Sequence, residues 1–315
     1  MNRITRIAVI GAGKMAREHC RVFSSLQDAE IAGIYSRTRP KAEALAHDHG
    51  IPVVCDSIES LWQQTKADLV LVTVNALDML PVVLECAKVD WAIFMEKPPG
   101  HDLPAATSLL SCARDENHRL FVGLNRRYYA AVNAARLVLD SCAGPRYIAV
   151  CDQQSYAESR TAHHPEEIIG KMMYANSIHL VDYLRIFGRG EITQVQRLSE
   201  WAGEHTFVHS AIVFFKSGDV GRYDALWGAP GPWSCSVACN EKRVEMRPLE
   251  SLTVQRRNER RATAMELDVI DTQFKAGFYR QAEDLLRAVR GEPSQMTTIE
   301  DAYEVMKLIH GIYGV

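Results

Sequence analysis

An apolar run, Ile7-Ala8-Val9-Ile10, passes directly into Gly11-Ala12-Gly13-Lys14-Met15-Ala16, and this junction restricts the fold more than any other stretch of the chain. Glycines at its first and third positions let a strand turn sharply into a helix, and they leave the N–H groups of the helix start unscreened by a Cβ. Such a helix start attracts anions, and the spacing is that of a dinucleotide pyrophosphate site. Ala16 takes the third small-residue position, where helix and strand pack closely. Gly11, Ala12, Gly13, Lys14 and Met15 are therefore the residues expected at the phosphates.

A second apolar segment, 30–35, ends about twenty residues later, where a βαβ unit places its ribose contact. The chain continues there as Ser36-Arg37-Thr38-Arg39, with no Asp or Glu to accept a free 2′-hydroxyl. Arg37 suits a 2′-phosphate through a charge-assisted fork, or it lies over the adenine face, and Ser36 supplies one further hydrogen bond. The cofactor expected is NADP, with NAD as the alternative. The two arginines also read as solvated charges at a helix start.

A chain of 315 residues, 47% of them hydrophobic, has material for two domains. Its net charge is −3 with both signs interspersed, which excludes a nucleic-acid stripe and a polybasic membrane patch. The basic run 256–261 contains a Glu and no aromatic residue, so it reads as a solvated strand end or loop. Residues 1–6 lack a signal-type apolar region and no apolar segment is long enough to span a bilayer, so the expected location is cytoplasmic. The eight Cys are scattered. Neither Cys235 with Cys239 nor His163-His164 has partners at ligand spacing, so reduced thiols and no metal are expected.

Up to residue 124, apolar strands alternate with segments of helical period, the pattern of an α/β, doubly wound Rossmann domain with a parallel sheet. Strands are expected at 53–55, 68–74, 91–95 and 120–124; the segment 68–74 is almost continuously apolar, as a strand buried on both faces should be. Residues 125–315 read as a second, α+β domain. It has helices near 128–140, 174–187, 277–290 and 299–312, and strands at 146–153, 193–201, 206–216, 220–227, 235–240 and 243–248. Short connections, with Ser217-Gly218-Asp219 as a compact turn, predict a large, mostly antiparallel, open sheet.

With the glycine turn, Glu96-Lys97-Pro98, Asn125-Arg126-Arg127 and 176–182 (Asn-Ser-Ile-His-Leu-Val-Asp) in this order, the chain resembles the glucose-fructose oxidoreductase, inositol dehydrogenase and MocA family over essentially its full length. The resemblance implies an NAD(P)-dependent oxidoreductase that transfers a hydride between a nicotinamide and a carbon of a sugar, sugar nucleotide or polyol. It places Lys97 beside the nicotinamide, where an ammonium stabilises charge developing on the reacting oxygen, with Glu96 among the cofactor-contacting residues. It makes His179 the proton shuttle, titrating near neutral pH. Asp182 is expected to bind substrate or to finish a helix turn. Thr73 and Asn75, at the end of the fourth strand, are expected at the ribose or nicotinamide. Arg126 is expected to reach the cofactor or an anionic substrate group, or to form an interface ion pair. The resemblance also implies that residues 125–315 serve substrate binding and oligomerisation, giving a homodimer or homotetramer, with a small, carbohydrate-like substrate as the other partner.

Two departures stand out. Better-known members carry an Asp four residues before the histidine, where this chain has Ala175, so Tyr156 or Asn176 is expected to assist Lys97 and His179. Val74 stands where Pro often follows Thr73. The loop 227–233, with Trp at both ends, offers aromatic faces for a sugar ring or serves only to shape the chain. Relatives of this fold have also become dinucleotide sensors and co-regulators without turnover, which is the competing class.

Overall fold

The structure, a computed structural model, describes residues 3–115 and 118–315. Met1, Asn2, Glu116 and Asn117, which fall inside the expected first domain, lie outside the described residues. The chain divides into two units. The first comprises Met1–Asn125 with Asp271–Tyr303, and the second Arg126–Ile270 with Glu304–Val315.

The first unit alternates β1 (Thr5–Ile10), α1 (Lys14–Phe23), β2 (Ala29–Tyr35), α2 (Arg39–His49), β3 (Val54–Cys55), α3 (Ile58–Thr65), β4 (Leu69–Val72), α4 (Ala76–Cys86), β5 (Ala92–Glu96), α5 (Leu103–Asp115) and β6 (Leu120–Gly123). All pairings are parallel, in the order β3-β2-β1-β4-β5-β6. Every residue of β4 is buried, because helices cover both faces of a parallel sheet. β4 stops at Val72, short of the expected 74: Thr73 leaves the ladder and turns both its N–H and its hydroxyl to the Ile10 carbonyl.

The second unit holds a 3-10 turn (Asn125–Tyr128, beginning on the last residue of the first unit), α6 (Ala130–Asp140), β7 (Tyr147–Asp152), α7 (Tyr156–Thr161), α8 (Glu166–Ile169), α9 (Met172–Ala175) and α10 (Ile178–Phe187). Then follow β8 (Ile192–Arg197), β9 (Val208–Phe215), β10 (Val220–Leu226), β11 (Ser234–Ala238), β12 (Lys242–Met246), β13 (Thr253–Arg256) and β14 (Thr263–Ala264). The eight strands form one sheet, ordered β14-β13-β12-β11-β7-β10-β9-β8, parallel only between β7 and β10. The mostly antiparallel sheet is as expected, with β13 and β14 added. These two carry too short an apolar alternation to be seen in sequence. The expected helix 174–187 is two helices, broken where Asn176 takes φ −131°.

The C-terminal helices α11 (Ile270–Gln273), α12 (Phe278–Val289) and α13 (Ile299–Tyr313) complete the chain. The expected second domain ran unbroken from 125 to 315, but Asp271–Tyr303 packs with the first unit. Phe278 of α12 sits 4.7 Å from the His19 ring, Arg290 pairs with Asp28 at 2.6 Å, and Asn125 donates to the Ala276 carbonyl at 2.9 Å.

Candidate dinucleotide and substrate sites

Gly11 has φ +98°, and a Cβ there would lie 2.8 Å from Thr73 Oγ1 and 2.9 Å from the Thr73 carbonyl oxygen. Only glycine fits, on both dihedral and steric grounds. Thr73, expected at the cofactor, braces this turn: its hydroxyl donates to the Ile10 carbonyl at 2.9 Å. Two residues on, Gly13 caps α1 with no side-chain hydrogen bond, and a Cβ there would meet nothing within 4 Å. The unpaired N–H groups at the start of α1, flanked by Ala12, exposed Lys14 and half-buried Met15, therefore face open space of the kind a pyrophosphate fills. Ala16 is fully buried beneath them.

Beyond β2, Ser36 Oγ accepts from the Thr38 N–H at 3.3 Å. Arg37 forks onto the Asp78 carboxylate, with Nη1 3.2 Å from Oδ1 and a shorter contact from Nη2 to Oδ2. Asn75, expected at the ribose or nicotinamide, stands at the N-cap of α4. Its Oδ1 accepts from the Leu77 and Asp78 N–H groups and caps α4, while its Nδ2 donates to Asp78. The 2′-phosphate candidate Arg37 is thus held by a carboxylate from the first turn of α4, yet is 73% exposed.

At the end of β5, Glu96 is buried, and its Oε1 lies 2.7 Å from His19 Nε2. The carboxylate ties α1 to the strand end. Lys97 follows, half-buried between buried neighbours, and the Lys97–Pro98 peptide is cis.

In the second unit, α10 carries buried His179 in its first turn. Ala175 ends a different helix, so positions 175 and 179 do not share one helical stripe. Asp182, 2% exposed, is ion-paired: Arg127 Nε and Nη2 grip its two oxygens at 2.8 and 2.7 Å. Arg126 stacks on an aromatic face, its guanidinium lying 4.1 Å above the Trp233 ring. Tyr156 opens α7 with its ring edge-on to Trp227 at 5.3 Å. Burial, reinforced by the Glu204 carboxylate, pushes its phenol up to about 12, which keeps the hydroxyl protonated at neutral pH.

Asn176 sits at the break between α9 and α10 and donates to Gln154 Oε1 at 2.9 Å. Both residues line a cavity of about 470 Å³, together with Trp233, Met172, His164 and Ser155. The two tryptophans of the loop 227–233 part company. Trp227 is buried in an aromatic cluster with Trp201 at 4.6 Å, whereas Trp233 walls the cavity, its indole donating to the Gln153 carbonyl at 2.5 Å.

Sequence reasoning passed over His19, Asp78 and Gln154. His19 stands on the apolar face of α1 with Ala16, Cys20 and Phe23, so a lone core histidine was the natural reading. Asp78, three residues after Asn75, carried a helix-start signal. Gln154 lies just past the β7 strand end, where functional side chains concentrate.

The glycine turn, the open start of α1 and the order β3-β2-β1-β4-β5-β6 define a dinucleotide-binding Rossmann unit. Residues 5–124 match the family described as an oxidoreductase family with an NAD-binding Rossmann fold. Over these residues the chain is similar to the glucose-fructose oxidoreductase, inositol dehydrogenase and MocA family that its motifs resemble. Inositol 2-dehydrogenase 1 of Paenarthrobacter aurescens (strain TC1) is 25% identical over 199 residues, which span 62% of this chain and 58% of that protein. The fold matches UDP-N-acetylglucosamine 3-dehydrogenase GnnA from Acidithiobacillus ferrooxidans with TM-score 0.79 at 18% identity, covering 100% of this chain and 98% of the other. A dehydrogenase from Chromobacterium violaceum gives TM-score 0.84 at 17% identity, covering 99% and 95%. Among the described residues no group of three or more His, Cys, Asp or Glu is gathered for a metal, and no helix is long and apolar enough to cross a membrane.

Proposed function

We propose that this protein is an NAD(P)-dependent dehydrogenase or reductase acting on a CH–OH group of a polyol, sugar or sugar nucleotide. The observation that carries the reading is the open space in front of Gly13 at the uncapped start of α1. Gly11, Ala12, Gly13, Lys14 and Met15 would hold the pyrophosphate, and Arg37 with Ser36 the adenosine end. A bound nicotinamide supplies or takes the hydride. The residues of the chain orient and protonate: the Lys97 ammonium stabilises charge on the reacting oxygen, and the His179 imidazole exchanges the hydroxyl proton. The inositol 2-dehydrogenase relative supports a polyol-type substrate. Arg37 favours NADP. Leu198, Phe207 and Val208, exposed at one edge of the second sheet, support self-association as a dimer or tetramer.

The experiment is turnover, followed by nicotinamide absorbance, against a library of polyols, sugars and sugar nucleotides. Lys97→Ala is expected to lower kcat by about 10²–10³-fold while leaving dinucleotide affinity in place; unchanged turnover removes Lys97 from the chemistry. Ala175, in place of a carboxylate found in better-known members, favours a second reading, a dinucleotide sensor. Tight cofactor binding without turnover of any library member supports the sensor.

A further inference from the structure

We propose that Asp152 is a positioning residue that fixes the hydrogen-bonding polarity of the 470 Å³ cavity, so that Asn176 presents an amide oxygen there and the cavity takes the hydroxyl donors of a neutral polyhydroxylated ligand. The proposal rests on the reading of the second unit as the substrate-binding half.

Asp152 ends β7 with no exposure to solvent. Burial pushes its carboxyl up, and hydrogen bonds from Ser177, Tyr223 and Gln154 pull the other way. A carboxylate can only accept. Oδ2 takes the Tyr223 hydroxyl at 2.6 Å, and with that proton committed the Tyr313 hydroxyl, 2.8 Å further on, donates to Tyr223. Oδ1 takes Gln154 Nε2 at 2.7 Å, and the same nitrogen reaches Ser177 Oγ at 3.3 Å.

Both hydrogens of the Gln154 amide are thereby directed at buried acceptors, so its oxygen must point the opposite way. That oxygen receives Asn176 Nδ2 at 2.9 Å. The Asn176 amide is oriented in turn, leaving Oδ1 as the outer end of a chain that begins at a buried carboxylate. An amide is otherwise free to reverse, since its two ends have the same shape; only the acceptor-only anion breaks the symmetry.

The walls agree with a neutral, hydroxyl-rich ligand. Gln154, Ser155, Ser159 and Asn176 are uncharged, Glu158 and His164 are the titratable lining residues, and no Lys or Arg lines the cavity to hold a phosphate or carboxylate. Trp233 offers an aromatic wall held rigid by Arg126 stacked on its ring at 4.1 Å.

The polarity is read directly by neutron diffraction from hydrogen–deuterium-exchanged crystals of the full chain. Deuterium is expected on Gln154 Nε2 toward Asp152 and on Asn176 Nδ2 toward Gln154. An Asn176 nitrogen facing the cavity overturns the proposal, whatever the catalytic activity. Calorimetric titration with myo-inositol and with glucose 6-phosphate tests the ligand class: the neutral cyclitol is expected to bind more tightly, and the reverse order, or binding of neither, overturns that part. Asp152→Asn, which restores the two-fold ambiguity, is expected to raise the myo-inositol Kd about tenfold, and Asn176→Leu to abolish binding. Tyr223→Phe leaves Gln154 directed and is expected to change Kd by less than about threefold. An unchanged Kd in both Asp152→Asn and Asn176→Leu overturns the chain as a recognition device. Loss of nicotinamide binding or hydride transfer, with these results intact, counts against the proposed reaction and not against this inference.

Discussion

His19 and Glu96, 77 residues apart, meet at 2.7 Å in the interior of the first unit, joining the helix that follows the glycine turn to the strand end that carries Lys97. Each is the other's polar partner in an otherwise aromatic setting of Phe23, Phe94 and Phe278. Glu96→Ala strands a buried imidazole and is expected to cost about 1–3 kcal/mol. This is read as a fall in melting temperature of roughly 2–4 °C per kcal/mol, the scale for a folding unit of about 150–250 residues such as the first unit. Glu96→Gln keeps an acceptor and should lose less. Equal melting temperatures for wild type and Glu96→Ala would show that the pair contributes nothing.

Two glycines of one turn should fail differently. Gly11→Ala drives a Cβ to 2.8 Å from Thr73 Oγ1 in a left-handed backbone, and the expected outcome is a protein with reduced yield and a lowered melting temperature. Gly13→Ala meets no protein atom within 4 Å, so the fold should survive while dinucleotide affinity drops by about tenfold or more. Thermal melting beside fluorescence titration with NADPH separates the two. Undiminished affinity in Gly13→Ala would place the phosphates elsewhere.

Arg37 is shared between Asp78 and any 2′-phosphate, which makes Asp78 a brake on NADP selectivity. Asp78→Asn should raise NADP affinity relative to NAD by about threefold to tenfold, and Arg37→Ala should lower the same ratio by about tenfold. Parallel titrations with both dinucleotides give the ratio. Losses that are equal for NADP and NAD in Arg37→Ala would contradict a 2′-phosphate contact.

His209 tethers the C-terminal residues of the second unit: Nε2 donates to the Ile312 carbonyl at 2.8 Å, and Nδ1 lies 3.2 Å from Ser199 Oγ. Burial holds its imidazole below the ordinary value of 6.5, with the bond to Ile312 opposing and Arg197 assisting. The unfolded chain takes up a proton near 6.5 that the folded chain resists, so this contribution is complete above that pH and is lost as the solution is acidified below it. Melting temperature should fall between about pH 7.5 and about pH 5.5, with a shallower fall in His209→Gln. Identical slopes would assign the acid lability to other groups.

The elements of the first unit were legible wherever the apolar period was long: β1, β2, β4 and the helix after the glycine turn all lie close to where the pattern puts them. The two-residue β14 and four-residue β13 were not, because a strand of that length is held by its neighbours rather than by its own alternation. Among the site residues, the glycines were legible because their constraint is local. Glu96, Thr73, Asn75 and Asp182 were recognised as special, but their partners were not, since His19, the Ile10 carbonyl, the α4 N–H groups and Arg127 are brought to them only by the folded chain.

The primary structure alone determined the strand-to-helix turn and the parallel alternation, because backbone dihedrals and hydrophobic period act within a few residues of where they are written. The tertiary structure decided which polar groups meet: Arg127 pairs with Asp182, Asp78 with Arg37, and Asp152 with Gln154. A hydrogen bond or ion pair needs approach to about 3 Å, and packing alone grants that approach between residues dozens of positions apart.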